Sequence, residues 1–141
     1  MRQTFLFLSL CFCLCSCSDN NIDDIVSKKW EQCINKSDCI IDFSQSMNFE
    51  WETMYYYSGA NSLEDINNDL GFELKEYTDV GDRIIFLNKG KVVYQQESFK
   101  YPSKPIEGII FETNLNKFKL SRKESQFRVR KEGGAYYLKK I

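Results

Sequence analysis

Large apolar residues just after position 20 recur every three or four places, as they do along one face of an α-helix. The stripe consists of Ile22, Val26, Trp30 and Cys33. Asn20 or Asn21, followed by Asp23, supplies the polar and acidic start that helices favour. The pattern therefore predicts a short amphipathic helix that ends near Cys33.

A second helix is predicted between Ser62 and Gly71. Ser62 and the acidic Asp65 three residues later have the spacing of a capping box, and Gly71 is a common helix terminator. The apolar residues between them fall on one helical face: Leu63, Ile66 and Leu70. One side of this helix should therefore pack on the rest of the protein.

Alternating polar and apolar residues predict strands over the remainder of the chain. In the most strongly patterned stretch, 49–57, the residues expected to be buried are Phe49, Trp51 and Tyr55, with Glu50 and Glu52 outside. Lys89 and Gly90 should form the turn of a hairpin between strands 83–88 and 91–97. The other predicted strands cover 39–43, 106–113, 117–121, 126–131 and 135–140.

This order of elements predicts an α+β fold for residues 22–141. We expect a single domain, with a largely antiparallel sheet and two short helices near the N-terminus that cover one of its faces. The 11 Phe, 8 Tyr and 2 Trp residues supply bulky side chains for one hydrophobic core.

The first sixteen residues have the organisation of a signal peptide. Arg2 precedes an apolar run over 5–14, and small residues and cysteines follow at 15–17. The run is shorter than the ~20 apolar residues that span a bilayer. We therefore expect export and cleavage rather than a transmembrane segment.

Cys17 is the expected lipidation site. It follows the small Ser16, with Leu14 three positions before it, whereas Cys13 and Cys15 follow bulky residues. The sequence at 14–17 resembles the lipobox of bacterial lipoproteins, although Cys15 stands where that motif usually has Ala, Ser or Thr. The resemblance implies a signal peptide at 1–16 and a lipid-carrying Cys17 with a polar tether at 17–21. A soft-metal cluster of the four N-terminal cysteines fits this position less well, because processing removes three of them.

Cys33 and Cys39 remain after processing. An exported protein meets an oxidising compartment, so we expect these two residues to form a disulfide that closes a short loop. A redox-active pair is the alternative, but the five intervening residues do not match a Cys-x-x-Cys motif. The structural disulfide is therefore the favoured interpretation.

The net charge of -1 conceals two oppositely charged halves. Residues 18–78 contain 13 acidic and 4 basic side chains, and residues 79–141 contain 7 acidic and 14 basic ones.

Four basic residues fall on outward positions of two successive predicted strands: Lys117, Lys119, Arg128 and Arg130. If those strands are adjacent, the four form one candidate binding face for an anionic polysaccharide or an acidic protein, while export argues against nucleic acid. The competing hypothesis is a solvated face neutralised by acids of the first half, such as Glu50 and Glu52.

The chain contains no histidine, so it lacks the commonest metal ligand and the usual general base at neutral pH. No catalytic residue, metal or cofactor is predicted. Glu50 and Glu52, about 6.6 Å apart along a strand, are the pair that suggests glycoside chemistry.

Four further side chains have the spacing of an EF-hand loop: Asp65, Asn67, Asp69 and Glu76. Leu70 replaces the glycine that such a loop needs, and the predicted helix explains the same residues.

Residues 49–71 carry a pattern of their own. A strand with Trp51, Glu52 and Tyr55 is followed by a turn and by a short helix closed with Leu70 and Gly71. This arrangement resembles small Bacteroidota lipoproteins of a family without an assigned activity, although that family usually has proline and an aromatic residue at the turn. The polar residues 18–21 resemble the signal that sends lipoproteins of that phylum to the cell surface. The resemblance implies a lipoprotein of the outer membrane.

These features lead us to expect a lipid-anchored protein of the cell envelope, facing the periplasm or the cell surface, that binds a macromolecule or supports an assembly. The alternatives are a small hydrolase that uses carboxylates, and an immunity or inhibitor protein. A pocket with two close, buried carboxylates would favour the hydrolase, and an exposed basic or aromatic surface would favour the binding protein.

Overall fold

The computed structural model describes residues 21–34, 38–99 and 104–141. The predicted signal peptide, Cys17 and residues 18–20 of the tether lie outside the described residues. The helices in the described ranges are α1 (Ile22–Cys33), α2 (Phe43–Ser46) and α3 (Leu63–Leu70), and a 3₁₀ helix covers Arg122–Glu124. The strands there are β1 (Ile40–Asp42), β2 (Thr53–Tyr57), β3 (Asp82–Asn88), β4 (Lys91–Ser98), β5 (Glu107–Phe111), β6 (Lys117–Ser121), β7 (Gln126–Glu132) and β8 (Gly134–Lys140).

Local capping signals place both longer helices where the sequence predicts them. The Asn21 side chain accepts a hydrogen bond from the Asp23 backbone N–H at the start of α1. Ser62 and Asp65 form the reciprocal capping box of α3, and Gly71 follows the helix with a φ of 79°. A left-handed residue at this position satisfies the last helical carbonyls, which is why glycine is favoured there. Both predicted helices are confirmed.

The strands form two four-stranded sheets rather than one. Sheet I has the order β1-β7-β8-β5, and sheet II has the order β4-β3-β2-β6. The pairings are antiparallel except that of β5 with β8. The predicted single-domain α+β fold is confirmed, whereas the expectation of one sheet is wrong. Strand alternation shows which side chains share a face, but it does not show which strands are neighbours.

The main hydrophobic core lies between the two sheets. Alternate side chains from both sheets enter it, together with side chains of α1 and of the segment 43–51. The ring centroid of Phe86 on β3 is 4.8 Å from that of Trp51 and 6.3 Å from that of Phe43. Because buried apolar area contributes about 25 cal/mol per Å², this layer is the principal source of stability.

A second, smaller core lies on the outer face of sheet II, where α3 and the segment 71–81 cover β2 and β3. Its buried members are Tyr55, Tyr57, Ile66, Leu74, Ile85 and Leu87. Met54 and Tyr56, at the intervening positions of β2, belong to the main core. β2 is therefore buried on both of its faces.

Every strand except β6 differs from its predicted bounds by one to four residues at one end or both. β2 begins at Thr53 rather than Phe49, although Trp51 before it is buried and both Glu50 and Glu52 are exposed, as expected. β1 ends at Asp42, because the Asp42 side chain accepts a hydrogen bond from the Ser44 backbone N–H at 2.8 Å and so starts α2. The end of β1 therefore results from a local contact that strand alternation does not record.

Arg83 of β3 is a fully buried charged side chain. Its Nε donates to Glu97 Oε1 at 2.8 Å, and its Nη2 donates to the Thr78 carbonyl oxygen. The guanidinium carbon lies 4.2 Å from the centroid of the Tyr77 ring. Arg83 and Glu97 are opposite each other in the β3–β4 register. Together these contacts fasten the segment 71–81 to sheet II.

Cys33 at the end of α1 and Cys39 just before β1 form a disulfide, with their Cα atoms 5.4 Å apart. Both cysteines are buried in the main core. The bond joins the helix that follows the tether to the edge strand of sheet I. The predicted pairing of Cys33 with Cys39 agrees with this geometry.

Replacing Cys33 and Cys39 together with alanine is expected to lower the free energy of unfolding by about 2–3 kcal/mol, because the unfolded chain loses a short closed loop. Urea unfolding of the two proteins measures this difference. Dithiothreitol should destabilise the wild type by a similar amount and leave the double variant unchanged. Alkylation of both thiols in denatured wild-type protein without reductant would contradict the bond.

Candidate functional site

The four basic residues predicted to share one face lie on two different sheets. Lys117 and Lys119 belong to β6 of sheet II, whereas Arg128 and Arg130 belong to β7 of sheet I. The inward positions of both strands are buried or half-buried, as predicted. The expectation of one continuous basic face is wrong, because the 3₁₀ helix between β6 and β7 carries the chain from one sheet to the other. The two pairs therefore point away from the core on opposite sides.

The two arginines on sheet I are paired with carboxylates. Arg128 Nε lies 2.7 Å from Asp38 Oδ1. Arg130 Nη2 lies 2.9 Å from Glu112 Oε1, and its Nη1 donates to Glu132. This part of the surface is therefore locally compensated in charge. Of the three partner carboxylates only Asp38 belongs to the first half of the chain, so the compensation does not come mainly from the acids that were expected to supply it.

Lys117 and Lys119 border a recess of about 250 Å³ on the outer face of sheet II. We call it the tyrosine–lysine recess, and its lining residues are Tyr55, Tyr57, Asp69, Lys117, Phe118 and Lys119. The β2–β6 register builds it, because Tyr57 lies opposite Lys117 and Tyr55 lies opposite Lys119. Residues two apart on a strand share a face, so the two pairs stand side by side.

Rings and charges are in direct contact inside this recess. The Tyr55 and Tyr57 rings are stacked, with centroids 6.0 Å apart and 4° between their planes. Lys119 Nζ lies 5.3 Å from the Tyr55 ring centroid, within the range of a cation–π contact. Lys117 Nζ donates to Asp69 Oδ2 at 2.7 Å, which joins β6 to the last turn of α3. Both lysines are exposed, so their ammonium groups are accessible to a ligand.

The Tyr57 hydroxyl is buried beside the Asp69 carboxylate, and Tyr57 is 1% exposed. Burial raises the pKa of its phenol well above the ordinary value, and the charge of Asp69, the neighbouring Tyr55 and a hydrogen-bond interaction with Asp69 add to this effect. Asp69 therefore lies between the Tyr57 hydroxyl and the Lys117 ammonium group, and it accepts a hydrogen bond from the latter.

A second recess, of about 530 Å³, lies at the C-terminal end of β6. We call it the tryptophan recess, and its lining residues are Glu50, Trp51, Glu52, Asn88, Lys89, Ser121, Arg122 and Lys123. Trp51 is 1% exposed, and its indole Nε1 has no hydrogen-bond partner within the described segments. The recess therefore presents cationic donors and carboxylate acceptors, whereas the indole N–H is buried.

Glu50 and Glu52 both line the tryptophan recess, but they do not form an enclosed carboxylate pair. Glu50 Oε2 lies 2.9 Å from Arg122 Nη1, and the Glu50 side chain is 79% exposed. Glu52 Oε2 accepts a hydrogen bond from the Lys89 backbone N–H at 3.0 Å, and Glu52 is also exposed. The acid of a glycosidase remains protonated at neutral pH because it is enclosed. Neither of these side chains is enclosed.

The EF-hand-like spacing around α3 is used for other contacts. Asp65 completes the capping box of α3, and Asp69 pairs with Lys117. Asn67 Oδ1 accepts a hydrogen bond from the Leu74 backbone N–H at 2.8 Å. Across the described ranges, no group of three or more Cys, Asp or Glu side chains is placed to hold a metal ion.

The sequence indicates Lys117 and Lys119 as site residues, but it does not indicate the tyrosines and the aspartate beside them. Tyr55, Tyr57 and Asp69 reach the recess only through the pairing of β2 with β6 and the packing of α3 on sheet II. One signal was present: the uninterrupted run of bulky residues at 54–57 is typical of a strand buried on both faces. Another part of the protein must pack on each face of such a strand, and α3 packs on the outer one.

No family model matches the chain, and no curated protein or solved structure matches it. None of the helices in the described ranges has the length and apolar character needed to cross a membrane. The functional proposal therefore depends on the two recesses and on the N-terminal sequence.

Proposed function

We propose that this protein is a lipid-anchored module of the cell envelope that binds an anionic glycan through the tyrosine–lysine recess. The exposed ammonium groups of Lys117 and Lys119 are suited to a carboxylate or sulfate group. The Tyr55 ring and the Asp69 carboxylate beside them are suited to the ring and hydroxyls of the same sugar. Small concave sites usually combine an apolar surface with a few polar groups in this way.

The two exposed lysines beside the stacked tyrosine rings are the observation that carries this proposal. Lys119 Nζ lies 5.3 Å from the Tyr55 ring centroid, so a cation and an aromatic surface are combined in one recess. The adjacent Asp69 carboxylate already accepts a hydrogen bond from Lys117. A sugar hydroxyl can donate to this carboxylate, which an isolated inorganic anion does not do.

Anchoring through Cys17 is the second part of the proposal, and it is supported by the sequence of residues 1–17. Each buried CH₂ of an attached acyl chain contributes about 0.8 kcal/mol of membrane affinity, so several chains give a lasting anchor. The tether of residues 17–21 leads directly into α1, whose first residue Ile22 is buried in the domain. The domain should therefore stay close to the outer membrane, on its periplasmic or outer side.

Replacing Lys117 and Lys119 together with glutamine is expected to weaken binding of a galacturonate oligosaccharide at least tenfold, about 1.4 kcal/mol. The reason is the loss of two charge-assisted contacts. Isothermal titration at low salt measures Kd, and added salt should weaken wild-type binding because it screens exposed charges.

The matched control replaces Arg128 and Arg130 with glutamine, since this also removes two positive charges but from sheet I. The control variant should bind as the wild type does. An equal loss in both double variants would show that net charge, not the recess, determines binding. Binding of an acidic protein but of no acidic glycan would show that the class of partner is wrong.

The two alternative functions receive less support from the same surfaces. A carboxylate-dependent hydrolase would need Glu50 and Glu52 in an enclosed pair, and both are exposed. An immunity or inhibitor protein would be expected to present a strongly charged concave surface. The tyrosine–lysine recess and the tryptophan recess contain both signs of charge.

A further inference from the structure

The two recesses lie one after the other along β6. This strand ends the β4-β3-β2-β6 order, and it lines the first recess with 117–119 and the second with Ser121. The side chains of Lys117, Lys119 and Ser121 lie on the outer face of sheet II. Lys117 and Ser121 are four residues apart, which corresponds to about 13 Å along the strand. Arg122 and Lys123 of the 3₁₀ helix continue the line into the tryptophan recess.

The tryptophan recess has the mixed chemistry that sugar hydroxyls require. A hydroxyl group both donates and accepts, whereas carboxylates only accept and ammonium, guanidinium and indole N–H groups only donate. Glu50 and Glu52 supply the acceptors, and Lys89, Arg122 and Lys123 supply charged donors. This combination favours a polyhydroxylated ligand over a simple anion.

The cations along this line alternate with polar and aromatic groups rather than forming a single cluster. Lys117, Lys119 and Lys123 are exposed, and Arg122 is held in place by Glu50 Oε2 at 2.9 Å and by the Ser44 carbonyl oxygen at 2.9 Å. Charges spaced along one edge of a sheet match a linear polymer with one acidic group in each repeat. A compact anion can contact only one of these positions at a time.

We infer that the tyrosine–lysine recess and the tryptophan recess are two subsites for one linear anionic glycan that lies along β6. This inference rests on the proposed function and adds a second site and an extended ligand to it. Occupation of the first recess raises the effective concentration of the next sugars at the second, so longer chains bind more tightly. The shared chemistry is a repeating acidic sugar, which carries either carboxylate or sulfate groups.

The test uses the whole mature protein and a length series of galacturonate oligosaccharides, with heparin oligosaccharides as the sulfated arm and maltooligosaccharides as the neutral control. Isothermal titration should show affinity rising by tenfold or more from disaccharide to hexasaccharide in at least one acidic series. No such rise should occur in the neutral series. The better acidic series identifies the charged group.

Lys123→Gln tests the second subsite, with Lys139→Gln on sheet I as its matched control. The first variant should reduce the affinity of the hexasaccharide to near that of the disaccharide, so its effect should be several times larger on the hexasaccharide than on the disaccharide. The Lys139 variant should bind every length as the wild type does. Wild-type affinity that is independent of length, or an equal effect of Lys123→Gln at every length, would overturn the two-subsite inference while the single-site proposal stands. Absence of binding in every acidic series would instead reject the proposed function.

Discussion

Replacing Glu97 with glutamine is expected to lower the free energy of unfolding by about 3–5 kcal/mol, because the variant leaves the positive charge of Arg83 buried without its carboxylate. Arg83 is 0% exposed, and the Glu97 side chain is 15% exposed. Domains of this kind are stable by about 5–15 kcal/mol, so the loss is a large part of the total. Urea unfolding followed by tryptophan fluorescence measures it.

The matched control is Glu50→Gln, which breaks an ion pair of similar length with Arg122 on the surface. Exposed pairs contribute about 0–1 kcal/mol, so this variant should unfold almost as the wild type does. An Arg83→Met, Glu97→Leu double variant should recover much of the stability lost by Glu97→Gln, since it removes both buried charges. Equal losses for Glu97→Gln and Glu50→Gln would contradict the assignment of a buried pair.

Acid should weaken the same contact. Burial by itself would raise the pKa of Glu97, but hydrogen bonds from Arg83 and Thr78 bring it below its ordinary value of 4.5. A carboxyl whose pKa is lower in the folded state stabilises the protein fully above the unfolded value, and this contribution is lost as the pH falls through the folded value. The wild type should therefore lose stability below about pH 4.5 more steeply than Glu97→Gln.

Replacing Cys17 with serine is expected to move the protein from the membrane pellet to the soluble fraction. Serine provides no thiol for acylation, and without acyl chains the protein loses the hydrophobic contribution of about 0.8 kcal/mol for each buried CH₂. Fractionation of cells that express the full chain, followed by immunoblotting, measures the distribution.

Cys15→Ser is the matched control for Cys17→Ser. It also removes one N-terminal cysteine, but it places a residue that lipoboxes accept two positions before Cys17. This variant should remain in the membrane pellet. If Cys17→Ser stays in the membrane, or if Cys15→Ser becomes soluble, the assigned anchor residue is wrong.

The elements that depend on nearby residues could be predicted from the sequence. Ser62, Asp65 and Gly71 define α3 within a few positions of one another, and the Lys89-Gly90 turn defines the β3–β4 hairpin. The assignment of strands to sheets could not be predicted in this way. The chain changes sheet at 122–124, where the Ser125 hydroxyl donates to the Arg122 carbonyl oxygen and the Phe43 backbone N–H donates to the Ser125 carbonyl oxygen. The first of these hydrogen bonds forms a short turn and the second joins distant parts of the chain. The alternation of polar and apolar residues predicts neither of them.

In the candidate site, too, some features follow from nearby residues and others depend on distant contacts. The outward positions of Lys117 and Lys119 follow from the alternation of β6, and both residues line the recess. The contribution of Tyr57 depends on its cross-strand pairing with Lys117, and that of Asp69 depends on how α3 packs on the sheet. Long-range contacts of this kind become visible only in the folded structure.

The most direct test of glycan binding at the tyrosine–lysine recess is a ¹H–¹⁵N NMR titration of the mature domain with a galacturonate tetrasaccharide and, separately, with a heparin tetrasaccharide. The binding proposal predicts that at least one of them shifts the amide signals of Tyr57, Asp69, Lys117 and Lys119, while the signals of Arg128 and Arg130 stay in place. Shifts centred on Arg128 and Arg130, or no shifts at millimolar concentrations of either oligosaccharide, would contradict it.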